Sequence, residues 1–563
     1  MDGATGKRVQ VVILGGGFAG IGAALEFGKR LRGLAAAGID VHLVSDENYC
    51  VFQPMLPEVV AGGIEPTHIV NPVRQLCAGM IFHCAHVEAI DVKAKVVRLL
   101  GADGRQEHAL PFDHLVLALG QIVDLSRVPG MSQHALPIKT LGDAFHLRNQ
   151  VLSRLEQADL EPDETRRKHL LTFVTVGGGF SGVETAAEIH DLIRRVLPFY
   201  PNAKRTGHRM VLVHSRERIL NELPASLGDF AQRTLAARGV EILTNLKSVE
   251  ATADGVKLSD QRFVDCGTLI CTIGNAPHPL IANGEFPQEG GRVVTDDCMR
   301  VKGMDGVWAM GDMAAVPDRV TGTTCPPTAQ YAIRQGRTLA RNVLASVRGG
   351  APQPFQFKCL GQLAVVGHHC GVAQVFGWKF SGIVAWMMWR AVYWSKLPSF
   401  VSKVRVGLDW ALDLVFPRDL TKFETRRTEA LAVAHYRPGD PIITQGERGD
   451  SFYVIQRGRV EIVRSDGSAG GAAGGAETKL GEKGPGESFG EAALLNDAPR
   501  NATVRALTAV DVLSVSRGDF KKLVASYGAV REQVERDVAK HAASAPAAVP
   551  PVEATAATPT PKA

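Results

Sequence analysis

Two stretches of this chain space their glycines in a way that suits phosphate chemistry. Gly15, Gly17 and Gly20 belong to the run Gly15-Gly16-Gly17-Phe18-Ala19-Gly20, and Gly177, Gly179 and Gly182 to Gly177-Gly178-Gly179-Phe180-Ser181-Gly182. The first glycine of such a run permits a tight turn, and the second lets the backbone approach a pyrophosphate. The third lets the next helix close on its strand, so that phosphates meet a helix N-terminus. Glycine spacing alone also fits an ordinary strand-to-helix turn, so context must decide. Here residues 8–14 (RVQVVIL) and 170–176 (LLTFVTV) read as buried parallel strands, and helical sequence follows each run. The repeat implies two dinucleotides in one chain, and hence electron transfer between them.

The elements that must hold these turns come from a long chain. Its 563 residues exceed one core and suggest three or four units. A net charge of +5 is too small to imply nucleic acid. Nine scattered cysteines fit a reducing compartment better than a disulfide framework, and Met1 to Lys7 contain no apolar signal-peptide core, so a cytoplasmic location is expected. No stretch reaches the roughly 20 apolar residues of a membrane span. The richest, Phe380 to Trp394, is interrupted by Arg390. No metal site is expected.

Three further segments carry a resemblance. Phe112 to Gly120 reads as a strand ending in Ala118-Leu119-Gly120, Cys271-Thr272-Ile273-Gly274 is its counterpart in the second unit, and Gly306 to Asp312 reads GVWAMGD. Together with the glycine runs these resemble the flavoproteins with two dinucleotide-binding domains, whose order puts FAD first and the nicotinamide nucleotide second. The resemblance implies FAD contacts from Gly15, Gly17, Phe18, Ala19, Gly20, Gly120, Gly311 and Asp312. The ribose-binding acid of the family ends the second strand; here Ser45 holds that place with Asp46 next, so the residue is open between Asp46 and Glu47. For the nicotinamide nucleotide the resemblance implies Gly177, Gly179, Phe180, Ser181, Gly182 and Gly274. His214 stands where a carboxylate would favour NADH, and Arg216 and Arg218 could accept the 2′-phosphate of NADPH. NADH is the family default and NADPH stays open.

The electron acceptor follows from cysteines and one helix. Disulfide reductases of this superfamily carry C-x4-C beside the flavin, but Cys50 has no such partner. Cys266 and Cys271 have the spacing on a predicted strand, where five steps separate them by roughly 16 Å, beyond the about 7 Å a disulfide allows. The segment Asn48 to Gly62 and the run Pro326-Pro327-Thr328-Ala329-Gln330 resemble type II NADH dehydrogenases. In that family this helix start borders the flavin ring and the quinone. The resemblance implies that Ala329 and Gln330 sit at the flavin, that Gln330 faces a quinone carbonyl, and that Glu184, near the nicotinamide, accepts or relays a proton. Sulfide:quinone oxidoreductases share the fold, and Cys325 would be their candidate cysteine.

Residues 377–420 hold Trp378, Trp386, Trp389, Tyr393 and Trp394 among Lys379, Arg390, Lys396, Lys403 and Arg405. An apolar face with basic edges suits a helix lying in an anionic membrane surface, with a buried helical hairpin or dimer interface as the rival; the family's members are often dimers, so a homodimer stays open. From Ala434 the chain resembles cyclic nucleotide-binding domains, through Gly490, Glu491, Arg500, Asn501 and Thr503. There the Glu would hold the ribose hydroxyl and the Arg the cyclic phosphate of cAMP or cGMP; a β-roll kept only for docking is the rival.

The expected class is α/β: two Rossmann-like domains, an amphipathic helical membrane segment, then a β-roll. The expected divisions are 1–125 and 290–360 for FAD, 126–289 for NAD(P)H, 361–425 for the membrane segment, 426–540 for the β-roll and 541–563 for a disordered tail. Residues 466–486 read as a Gly/Ala-rich loop. The expected activity is NAD(P)H:quinone oxidation–reduction at the cytoplasmic face of the cell membrane, as a peripheral protein tuned by a cyclic nucleotide. Its rival is a redox-sensing signalling protein.

Overall fold

A computed structural model describes residues 8–31, 38–101, 107–422, 432–447, 451–465, 477–490 and 499–516. The chain forms two compact units, 1–423 and 424–563. In the first, Val9–Leu14 (β1) is the near-continuous apolar strand its sequence suggests, and it pairs in parallel with Ile39–Ser45 and His114–Leu117. Val307–Ala309 extends this sheet on one side and Ile81–Asp91 on the other, both in parallel. Buried on both faces, such strands need no alternation of apolar and polar residues. Helix α1 (Phe18–Leu31) follows the first glycine run and packs on Ala329–Val347.

The second sheet is all parallel, in the order Ala135–Pro137, Thr268–Cys271, Thr172–Val176 (β2), Arg209–Val213, Val240–Leu243. The run after β2 opens helix α2 (Phe180–Val196), of which thirteen residues are buried. Helix α3 (Ala329–Val347) begins three residues later than the pattern from Pro326 suggests. Two consecutive prolines hold the approach extended, and Thr328 becomes the N-cap.

Residues 361–422 are not purely helical as expected. Three antiparallel strands, Gly361–Val365, Gly371–Val375 and Trp378–Gly382, come first. Helices α4 (Ile383–Lys396) and α5 (Phe400–Asp413) follow. Trp386, Trp389 and Trp410 join the same core cluster as Val183 and Leu192 of α2. Among the described residues no helix is long and apolar enough to cross a membrane.

The second unit is a pair of four-stranded antiparallel sheets closing on Ile443, Ile455, Val460, Phe489, Val504 and Val512. The expected loop 466–486 is in part a strand, Glu477–Lys483, paired with Val460–Ser465. Glu491 and the tail 541–563 lie outside the described residues.

Candidate active site

The two glycine turns have the same build. Gly15 has φ +112°, and a Cβ there would fall 2.3 Å from the Ala118 carbonyl oxygen. A Cβ on Gly20 would fall 1.9 Å from Gly15 O, so α1 can close on β1 only over a bare Cα. A Cβ on Gly17 would meet nothing within 4 Å. In the second turn Gly177 has φ +121°, and a Cβ on Gly182 would fall 1.8 Å from Gly177 O. A Cβ on Gly179 would have Glu222 Oε1, 4.0 Å away, as its nearest neighbour. In each turn, then, two glycines are forced by packing and the middle one faces open space, the cradle a pyrophosphate needs.

Against the first turn lies a cavity of about 990 Å³. Gly15, Gly17, Phe18, Ala19, Ser45, Asp46, Gly120, Gly311, Asp312, Ala329 and Gln330 all line it, as do Phe180, Ser181 and Glu184 from the second turn. Gly20 lies behind it, as do Gly177, Gly179 and Gly182. Gly274 is off the wall as well, with φ +93° and a Cβ position 2.2 Å from Asp124 O. Ser45, Asp46 and Glu47 all reach the rim, and Asp46 pairs with His86 at 3.1 Å. No described residue bonds the Asp312 carboxyl, whose pKa burial pushes up. An adenine dinucleotide with a ribityl chain fits this lining: open glycine backbone for phosphate, and an available carboxylate for hydroxyls.

The far end of the cavity is aromatic and acidic. Phe18 meets Phe52 edge-on at 5.8 Å, Phe52 meets Tyr393 at 6.1 Å, and Tyr393 meets Trp389 at 4.6 Å. Glu184 is more deeply buried than its sequence suggests, at 8% exposure. Its Oε1 accepts from the Val365 backbone N–H (3.0 Å) and the Trp389 indole N–H (3.1 Å). Burial outweighs these bonds and raises its pKa to about 8. Gln330 is less available than expected, because its Nε2 donates to Gly361 O at 2.8 Å. Its Oε1 and second N–H remain for a ligand.

Sequence reasoning missed Gln335, whose buried Oε1 accepts from Gly311 N–H at 2.8 Å and so fixes the turn before Asp312. It also missed the inward role of the tryptophan segment. Trp389 is 2% exposed and Trp386 9%, so neither is an interfacial residue. Arg390 also turns inward, 3.5 Å from Glu58 and over the rings of Trp386 (4.1 Å) and Trp410 (4.6 Å). What faces outward is Ile383, Val384, Met387 and Trp394 of α4, and Phe400 (80% exposed), Val401, Val404, Leu408 and Leu412 of α5.

His214 and Arg216 do not reach the cavity. The His214 ring fills the space beside Gly178, accepting its N–H at Nδ1 (3.1 Å) with Asn221 at Nε2 (3.0 Å), and burial keeps it neutral by lowering its pKa. Arg218 turns toward Asp229, 3.9 Å away. The cysteines are free. Cys50 lies near Cys77, a neighbour its local sequence does not reveal, and burial drives the Cys50 thiol to about 12 and that of Cys77 to about 11. Cys325 is fully buried and raised to about 11. Reactive cysteines are low-pKa and accessible, so none of the three suits the sulfide-type alternative.

In the second unit Arg500 is buried, donating to Gly490 O (2.7 Å) and Ser451 O (2.6 Å). Thr503 Oγ1 accepts from Gln445 N–H at 3.0 Å, and Asn501 is exposed.

The sequence matches the family model described as pyridine nucleotide-disulphide oxidoreductase over residues 9–336. The chain belongs to that family. A model described as NDH2 C-terminal domain matches residues 359–419, and a cyclic nucleotide-binding domain model matches 433–527. A demethylphylloquinone reductase of Synechocystis is 32% identical over 414 residues, 72% of this chain and 96% of the relative. A probable NADH dehydrogenase of Dictyostelium discoideum is 30% identical over 404 residues (70% and 88%), and a type II NADH:quinone oxidoreductase of Mycobacterium tuberculosis 29% over 460 (76% and 94%). The NDH2 structure from Plasmodium falciparum with NADH shares the fold: TM-score 0.68, 19% identity, 74% of this chain and all of that one. The C-terminal match and these relatives place the chain in the type II branch of the pyridine nucleotide-disulphide oxidoreductases.

Proposed function

We propose that this chain oxidises NADH and reduces a membrane quinone, with FAD between them, and that a cyclic nucleotide bound by the second unit alters the rate. The observation that carries the reading is that one cavity is lined both by the first glycine turn and by Phe180, Ser181 and Glu184 at the start of the helix that the second turn opens. Gly15, Gly17, Asp312 and the start of α3 would hold FAD, which when bound accepts a hydride and passes on two electrons. The chain's own residues do the rest. The positive end of α3, beside Ala329 and Gln330, favours negative charge at the cavity floor. Phe18, Phe52 and Tyr393 exclude water, and the second Nε2–H of Gln330 donates to a quinone carbonyl. Glu184, neutral at pH 7 by its raised pKa, holds a proton on Oε2 for the quinone oxygen.

The probable NADH dehydrogenase and the type II NADH:quinone oxidoreductase among the relatives support NADH as the donor. The outward apolar face of α4 and α5, edged by Lys396, Lys403 and Arg405, supports docking on an anionic membrane surface. The buried Arg500 supports an intact phosphate site.

The test is purified protein with FAD, a short-chain ubiquinone and NADH or NADPH, with and without cAMP and cGMP. The expected result is NADH-driven quinol formation whose rate changes with one nucleotide. No flavin bleaching by either dinucleotide would sink the enzyme reading. Normal turnover with no nucleotide binding would sink only the regulation.

A further inference from the structure

Helix α2 carries more acid into the core than the cavity needs. Glu184, Glu188 and Asp191 stand at i, i+4 and i+7, the spacing of one helix face, and all three are buried. Glu184 lines the cavity; Glu188 does not. Glu188 Oε2 lies 3.4 Å from Arg418 Nη1. Arg418 Nε lies 3.2 Å from Asp413 Oδ1, and Arg195 Nη1 is 2.6 Å from the same oxygen. The Arg195 side chain is 29% exposed, so this chain of contacts runs from solvent to the turn of helix behind Glu184. Asp191 pairs with Arg238 and accepts from His368 N–H at 2.6 Å.

The charges of this cluster do not cancel. Its acids are Glu58, Glu184, Glu188, Asp191 and Asp413; its bases are Arg195, Arg238, Arg390 and Arg418. Five carboxyls against four guanidiniums leave one carboxyl without a counter-charge, and a buried lone charge is costly. Neutrality is restored by one retained proton. Asp413 and Asp191 each accept strong Arg bonds, while Glu184 has none, and Glu188 faces Arg418 and Arg390 on one side and Glu58, Asp191 and Glu184 on the other. Burial raises the pKa of Glu58, Glu184 and Glu188, but Glu58 has Arg390 at 3.5 Å and Glu188 has Arg418 at 3.4 Å, so the proton rests on Glu184, one helical turn from Glu188.

Quinone reduction makes a demand that this pair meets. A quinone takes two electrons and two protons to become a quinol. The hydride of NADH brings two electrons and one proton, so each turnover draws one proton from water. We propose that Glu188 is the relay that refills Glu184 from solvent during quinone reduction. The proposal rests on the reading of Glu184 as the proton donor. The Glu184 O–H bond breaks as the quinone O–H forms, leaving a carboxylate. Glu188 then takes a proton from bulk water entering past Arg195 and Asp413 and passes it across one helical turn to Glu184, directly or through one water. Glu188 is a positioning and relay residue, since it touches neither quinone nor dinucleotide.

The test uses the full chain with FAD and compares E188Q, E188D and E184Q by stopped flow. Flavin bleaching by NADH and reoxidation by a short-chain ubiquinone are followed from about pH 5.5 to 9, in H2O and D2O. For E188Q, bleaching stays within about twofold, while reoxidation slows about tenfold or more and loses its pH dependence. E188D, which keeps a carboxyl, recovers part of the rate with a shifted profile and a larger solvent isotope effect. Reoxidation of E188Q within twofold of the parent at every pH overturns the relay. So does an equal fall in both half-reactions that tracks a lowered melting temperature in both Glu188 variants. E184Q separates the layers: a slow E184Q with a normal E188Q sinks only the relay, whereas a normal E184Q sinks the donor on which it rests.

Discussion

The indole N–H of Trp389 donates to Glu184 Oε1 at 3.1 Å, joining a helix with an exposed apolar face to the carboxyl at the cavity floor. The bond stabilises the ionised carboxylate more than the acid. Trp389→Phe should therefore raise the Glu184 pKa further, and the pH optimum of quinone reduction should move up by about half a unit to one unit, with a stability loss of about 1–2 kcal/mol. Steady-state pH profiles and urea unfolding check both; an unmoved profile means that the bond does not set Glu184.

Glu184 also ties stability to pH. Its folded pKa of about 8 lies above its ordinary 4.5, so the folded state keeps a proton the unfolded state releases. That contribution is complete below about pH 4.5 and is lost as pH rises through about 8, at up to about 1.4 kcal/mol per pH unit. In Glu184→Gln the urea midpoint should fall less between pH 6 and 8 than in the parent. Parallel slopes would refute the assignment.

The glycines of the first turn should separate fold from cofactor. Gly17→Ala adds a methyl to open space, so the chain should fold but bind FAD about tenfold or more weakly by flavin fluorescence. Gly20→Ala puts a methyl 1.9 Å from Gly15 O and should cost stability by about 2 kcal/mol or more. Equal behaviour of the two variants would contradict the division of labour.

Membrane docking should depend on α5 rather than on the buried tryptophans. Val404→Asp with Leu408→Asp should cut binding to vesicles containing anionic lipid about tenfold or more. Oxidation of NADH by a water-soluble quinone should persist. Retained vesicle binding in a sedimentation assay would move the contact elsewhere.

Much of this site was legible because its signals are local. A glycine turn, the Gly311-Asp312 delivery and the Pro-Thr-Ala-Gln helix start each lie within a few residues, and each lines the cavity or buttresses it. The tryptophan segment was half legible. Composition marks Trp386, Trp389 and Arg390 as surface types, but Glu58 and Glu184, distant in sequence, turn them inward. Gln335 and the Glu188–Arg418–Asp413 chain were invisible for the same reason: polar residues far apart in sequence become partners only once the sheets are stacked. His214 shows the converse, since a strand-end position suited to a ribose contact is taken up by the ring's own bond to Gly178.

Arg418 sets a limit on how this enzyme could be handled. It reaches Glu188, Asp413 and the Ala61 carbonyl from just beyond α5. Cutting the chain before α4 to shed its exposed apolar face would strip Trp389, Arg390, Trp410 and Arg418 together, take from Glu58 and Glu188 their Arg and indole partners, and leave Glu184 only the Val365 N–H. A form without that exposed apolar face is therefore out of reach by truncation. It would have to be made by recolouring the outer face of α4 and α5, leaving every inward side chain in place.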